Sequence, residues 1–322
     1  MSFPKRPLSR RAMLASGLSA AAVSSAPWIA RADTENRQIA LTFDDAPRGD
    51  GPRFTGIART QALIDGLNRS GATGAIFFVM TGNIAGQTDG AARLRAYTTA
   101  GHDLANHSHT HMWLRDSDPG AYLADIDRAT EELAGFDRVL PFYRYPYLDE
   151  GDTRDKRLAV RTGLTARGLT NAYVTVDNYD WYMEALFAEA VGAGHVIDMD
   201  VLRQTYINVL MAEIAFHDQI ACHAIGRSPR HVLLLHENDL AALFISDLVA
   251  ALRQDGWAII PGAAAYEDEI AQTVPDTQFN GQGRVAALAH AGGMAPSELV
   301  SLRSEEEYLR GLFTDRGLLP PV

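Results

Sequence analysis

The stretch HDLANHSHTHMW, residues 102–113, changes character halfway along. Its first five residues enclose the apolar pair Leu104-Ala105 and read as a short buried strand; then His107, His109 and His111 fall at every second position. A strand that breaks off into ionisable side chains suits the carboxyl-end rim of a parallel α/β barrel, where the loops carry the chemistry. A histidine-rich surface loop would look the same in isolation. The decision rests on whether other strands end in the same way.

Outward from this stretch, apolar runs recur at IALTF (39–43), GAIFFV (74–79), LPFYRY (140–145), AYVTVD (172–177), HVLLLH (231–236) and WAIIP (257–261). Their nearly continuous apolar character predicts strands buried on both faces. Helical patterns lie between them: TGIARTQALIDGLNRSG (55–71) closes on a glycine, GAYLADIDRATEELAGF (120–136) spaces Leu123, Ile126, Ala129 and Leu133 along one face, and NDLAALFISDLVAALRQDG (238–256) opens on an Asn/Asp cap. This alternation predicts an α/β fold, a barrel of about seven parallel strands rather than an open doubly wound sheet. Residues 184–226 form a long, largely helical excursion before the sixth strand, and a small helical piece surrounds SEEEYLRGLF (304–313). The expected organisation is one barrel domain over 33–270 with a C-terminal extension over 271–322.

The strand ends share a property. The first run leads into Asp44-Asp45, the third into Asn106 and the histidines, the fourth into Arg144-Tyr145-Pro146-Tyr147, the fifth into Asp177 through Asp180-Trp181, and the sixth ends on His236. His107 and His111, four apart, can converge from one helical turn or tight loop, whereas His109 points about 200° away, to solvent or a supporting partner. Two imidazoles and one carboxylate leave a coordination position open, the pattern of a catalytic zinc site. Asp44-Asp45 could simply cap a helix or form an Asx turn. Successive side chains at a strand end diverge, however, so one carboxylate can ligate a metal while its neighbour takes a proton from water. His236 reads as a core histidine or as an acid for the leaving group.

Taken together, TFDDAP (42–47), HSHTH (107–111), RYPY (144–147), DNYDW (177–181) and LLLH (233–236) resemble the five ordered motifs of the polysaccharide deacetylases, the NodB-homology group or carbohydrate esterase family four. The resemblance spans about residues 38–262. It implies a distorted (β/α) barrel with fewer than eight complete units and removal of acetyl groups from N-acetylated glycans by attack of a metal-bound water. It makes Asp44 the general base and Asp45, His107 and His111 the ligands of zinc or another divalent ion such as cobalt. Arg144 would hold Asp44, and Asp180 would keep His236 protonated as general acid. The Tyr147 backbone N–H would face the oxyanion, and Trp181 with Leu234 would form an apolar wall for the acetyl methyl. Ala46 stands where the family usually has Gly, and Tyr145 and Leu148 stand where Pro and Gly are common; these alter the cleft's shape. Trp181, Tyr145 and Tyr147 offer faces on which a sugar ring could stack. An amidase for small N-acyl or cyclic amides, or an inactive glycan-binding barrel, are the alternatives; a two-carboxylate glycosidase would leave the histidines unexplained.

The amino terminus has a basic start, a mildly apolar Ala/Ser/Gly-rich middle and Ala30-Arg31-Ala32, which fits the small-x-small cleavage rule. With Arg10-Arg11 it reads as a twin-arginine export signal over residues 1–32, giving a periplasmic or secreted protein that begins near Asp33 and keeps no membrane span. One cysteine, Cys222, excludes an internal disulfide. Removing residues 1–32 takes away five basic side chains and no acidic one, moving the formal charge from −11 to −16. So acidic a protein, without a basic run, predicts no nucleic-acid partner.

Overall fold

The computed structural model describes residues 37–320, so the export-signal reading falls outside the described residues. Among the described residues seven strands, all parallel, form one curled sheet: β1 (Gln38–Ala46), β2 (Ile76–Val79), β3 (Asp103–Asn106), β4 (Val139–Tyr143), β5 (Thr170–Asn171), β6 (Arg230–His236) and β7 (Ala258–Ile260). Their order is β5-β4-β3-β2-β1-β6, with β7 also pairing to β1. The helices are α1 (Gly56–Ser70), α2 (Gly82–Gly86), α3 (Gly90–Thr99), α4 (Pro119–Leu133), α5 (Arg154–Ala166), α6 (Asp180–Gly192), α7 (Met199–Ile225), α8 (Asp239–Gln254), α9 (Gly262–Ala265), α10 (Gly283–Ala291) and α11 (Glu306–Asp315).

Local chemistry sets the helix ends. The Thr55 side chain accepts from Ala58 N and Gly71 closes α1 in the left-handed region; the Asn238 side chain accepts from Ala241 N to start α8. The strands bury alternate residues in two cores. Ile39, Leu41 and Phe43 of β1, Phe77 and Val79 of β2, and Leu233 and Leu235 of β6 pack with α1 and α8. Ala40, Ile76, Phe78 and Val232 face the interior of the curl with Ala172, Tyr266 and Val285. The two-sided burial read from the apolar runs is thus divided between outer helices and an inner filling.

One strand expectation fails. Residues 172–177 do not form the fifth strand; that is the two-residue β5 at Thr170–Asn171. The N–H groups of Thr175 and Val176 both donate to the Val232 carbonyl at 3.1 Å, so the ladder bulges and only the Val176–Leu233 bridge remains. The barrel is therefore distorted, with a seam between β5 and β6.

The excursion resolves into α6 and the 27-residue α7. The C-terminal extension is woven into the barrel: Val285 and Ala286 of α10 join the inner core with Ile220 and Ala221 of α7, and Leu309, Phe313 and Leu318 join the outer one. Arg284 N–H donates to the Val174 carbonyl at 2.6 Å, which pins α10 against the seam. Among the described residues no helix is long and apolar enough to cross a membrane.

Candidate active site

Parallel register brings the first site residues together. Asp44 on β1 is the cross-strand partner of His236 on β6, so residues 192 positions apart sit side by side on adjoining strand ends whose backbones run about 4.8 Å apart. The β1–β2 register then shifts between Phe43 and Ala46, and Asp45 adopts a left-handed backbone at φ 68°. That kink sends the neighbouring carboxylates to different partners. Asp44 Oδ1 accepts from Arg144 Nη1 at 2.8 Å, whereas Asp45 Oδ1 faces His111 Nε2 at 3.3 Å and His107 Nε2 at 3.6 Å.

The histidines reach Asp45 from a tight loop rather than a helical turn, with Ser108 at φ 74° and His111 at φ 57°. The Asn106 side chain accepts from Ser108 N, and the Ser108 hydroxyl accepts from His111 N, which locks the loop. His107 Nδ1 donates to the Arg144 carbonyl at 2.9 Å, leaving Nε2 with a free lone pair. His109 is buried and turns away, to Thr81 and to Glu132 at 3.0 Å each; of the two expected destinations, the supporting partner is the one observed.

The donor set fits a divalent ion. His107 and His111 Nε2 lie 3.3 Å apart, and ligands about 2.0–2.2 Å from a tetrahedral centre stand about 3.3–3.6 Å from one another. Asp45 Oδ1 is buried with no hydrogen-bond partner, a cost that an ion would relieve. Among the described residues these three form the one group of histidine and acidic side chains close enough to share a metal.

Electrostatics divide the labour further. Burial lifts the Asp44 carboxyl to about 6 against the opposing pull of Arg144. Burial would lift Asp45 as well, but His236, His111 and His107 together outweigh it and hold the group at about 2. Burial pushes His107 and His111 down to about 4, so both are neutral near pH 7, as ligation requires. Burial also opposes charge on His236, yet Asp180, 2.6 Å from its Nδ1, raises it to about 9. Asp180 Oδ2 accepts from His236 N and Asn238 Nδ2, so the Asp180 carboxylate is fixed at three points, two of them on His236.

These groups line a cavity of about 560 Å³ with Trp113, Tyr147, Leu148, Trp181 and Leu234, a size suited to a small ligand or the end of a larger one. Tyr147 at φ 57° and Leu148 at φ 53° add two more left-handed residues at its edge. Five of the seven such non-glycine residues among those described lie at the site, each costing about 1–3 kcal/mol held by the surroundings.

Tyr145 corrects the stacking expectation. It is buried against Tyr122 and Tyr143 and cannot meet a sugar; the exposed aromatic beside Tyr147 is Trp113, with ring centroids 4.6 Å apart. Sequence reasoning also passed over Thr42 and Tyr266, which accept from Arg144 Nη1 and Nη2. Thr42 was findable, two positions before Asp44 on the same strand face. Tyr266 lies beyond the last strand and carried no local signal. Asp177 also lines the cavity, and burial pushes its carboxyl up to about 7.

Among solved structures the chain is similar to a variant of the peptidoglycan deacetylase PdaC from Bacillus subtilis, at 19% identity over 73% of this chain and 92% of that one, with a TM-score of 0.50. It is also similar to a family 4 carbohydrate esterase from Streptomyces lividans in complex with acetate, at 23% identity over 70% and 92% with a TM-score of 0.46. A CE4 family pseudoenzyme from Bacillus anthracis aligns at 14% identity over 70% and 64%, TM-score 0.48. The PdaC likeness shows a shared fold, the curled parallel barrel. A family model described as polysaccharide deacetylase matches residues 31–166, from β1 through α5, and so takes in Asp44, Asp45, His107, His111, Arg144 and Tyr147. That match covers less than half of the chain, and it makes this part similar to the polysaccharide deacetylase family.

Proposed function

We propose that the protein removes acetyl groups from N-acetylated glycans, with Asp45, His107 and His111 holding a divalent ion such as zinc. The observation that carries this reading is the convergence, on one cavity, of that three-ligand group with the Asp44–Arg144 pair and the His236–Asp180 pair. A bound dication would polarise the acetyl carbonyl and favour attack by water as a Lewis acid. Asp44, ionised and held by Arg144, takes the proton from the attacking water. The Tyr147 backbone N–H donates to the oxygen on which charge develops. His236, its Nδ1–H fixed on Asp180, gives the Nε2 proton to the leaving nitrogen as the carbon–nitrogen bond breaks, so acetate and a free amine result. Trp181 and Leu234 supply an apolar wall for the methyl group, and Trp113 and Tyr147 give a sugar ring faces to rest on.

Acetate release from a panel of N- and O-acetylated glycans, with and without chelator, tests the reaction and substrate class together. Chelator-sensitive release from N-acetylated oligosaccharides is expected. Asp44→Asn should keep the ion yet lose activity by about 10²–10⁴-fold. Full activity in that variant would remove Asp44 from its role, and turnover confined to small N-acyl amides would move the protein to the amidase reading.

A further inference from the structure

A second cavity, of about 30 Å³, adjoins the catalytic cleft, and Leu148 and Gly281 line both. It has room for about two water-sized groups. Arg157 and Arg161 of α5, Arg284 of α10, Glu150, Tyr145 and Tyr173 are among its walls. Arg161 is spent on Glu150 at 2.7 Å. Arg157 and Arg284 are both buried, and among the described residues neither has a carboxylate within 4.0 Å; Glu150 reaches both of them, and Asp276 reaches Arg157, only through longer-range fields.

Backbone carbonyls compensate them in part. Arg157 Nη2 donates to Pro275 O at 3.0 Å, Arg284 Nη1 donates to Thr273 O at 3.0 Å, and the Arg284 guanidinium lies 4.3 Å over the Tyr173 ring. Buried guanidinium groups without a contacting counter-charge are costly, neutral carbonyls do not cancel the charge, and Glu150, already bonded to Arg161, sets one negative charge against three positive ones. The same walls hold four buried side-chain atoms with no hydrogen-bond partner: Arg284 Nε, Tyr145 Oη, Tyr173 Oη and Asn280 Oδ1. The first three are donors, and the Asn280 oxygen is left to accept from a water alongside. A surplus of positive charge, unspent donors and little space define an acceptor without much bulk.

We propose that this cavity binds a small monovalent anion, a halide or a short carboxylate, between Arg157, Arg284 and the hydroxyls of Tyr145 and Tyr173. The site uses α10 of the C-terminal extension, which lies beyond the family match, and it does not depend on the reaction proposed above.

The test is thermal unfolding of the full, metal-loaded chain titrated with bromide and, separately, with formate at constant ionic strength, balanced with gluconate, which is too large to enter. A saturable rise in Tm is expected: with bromide alone the occupant is a halide, with formate alone a carboxylate, with both a small anion of either kind. Arg284→Gln should weaken binding at least tenfold and Tyr173→Phe by a smaller factor. Should Arg284→Gln fail to fold, Tyr173→Phe and an anomalous bromide peak beside Arg284 in crystals of the unmodified chain still decide. No saturable rise and no peak would leave the cavity to water and overturn the proposal. A rise unchanged by the substitutions would place the ion elsewhere and overturn it equally.

Discussion

Asp180 accepts two hydrogen bonds from His236 and one from Asn238, and it is what keeps an imidazole charged in a buried setting. A general acid works in its protonated form, so activity should hold below about 9 and fall as pH rises through that value. Asp180→Asn removes the stabilising charge while burial continues to oppose protonation. The alkaline limb of kcat/KM should therefore shift down from about 9, with Asp45 and Asp44 still favouring the charged ring; a limb left near 9 would mean that another group titrates. The acid limb belongs to Asp44, ionised above about 6, and a bound dication should move it lower by favouring the carboxylate. The histidines separate cleanly. His107→Ala or His111→Ala should abolish tight metal binding, while His109→Ala should keep the metal and lose about 1 kcal/mol of stability with the hydrogen bonding of its Nδ1; metal content and Tm of the three variants decide. The pairing of His107 with His111 was legible because it needs only the four-residue spacing. The destination of His109 was not, because Thr81 and Glu132 lie 28 and 23 residues away. Tyr145 was misread for the same reason, its burial being set by Tyr122 from α4.

At the level of elements, β1, β2 and β6 were readable because a strand buried on both faces writes a nearly unbroken apolar run. AYVTVD writes the same run and is not a strand. Ala172 and Tyr173 join the inner core and Val176 the outer one, but the run's backbone partner is decided by two N–H groups competing for Val232 O, which no local pattern encodes. The seam this leaves is held by Gly283 at φ 79°, where an added Cβ would meet Val174 O at 2.7 Å. Gly283→Ala should cost about 1–3 kcal/mol through strain and push α10 from the seam. The observable is a lower denaturant midpoint together with faster amide exchange at residues 174–176; unchanged exchange would show that α10 does not hold the seam.

For the whole molecule, the formal charge of −16 expected after removal of residues 1–32 predicts faster acetate release from neutral N-acetylglucosamine oligomers than from a uronate-rich acetylated polymer. Added salt should narrow the gap, since at 0.1 M it screens the repulsion acting beyond about 10 Å. A preference for the acidic polymer that salt weakens would reveal a local basic groove. The twin-arginine reading predicts that replacing Arg10-Arg11 by Lys-Lys strands folded, metal-loaded protein in the cytoplasm, with fractionation as the assay; unchanged export would favour the ordinary secretory route. The seam gives this last point a temporal side. Every strand leaves the ribosome before α10, yet α10 closes the gap between β5 and β6 and helps fill the inner core. The barrel can thus be assembled only after synthesis has passed residue 291, leaving a partly made chain with an open edge that needs shelter from neighbours until its final segment arrives.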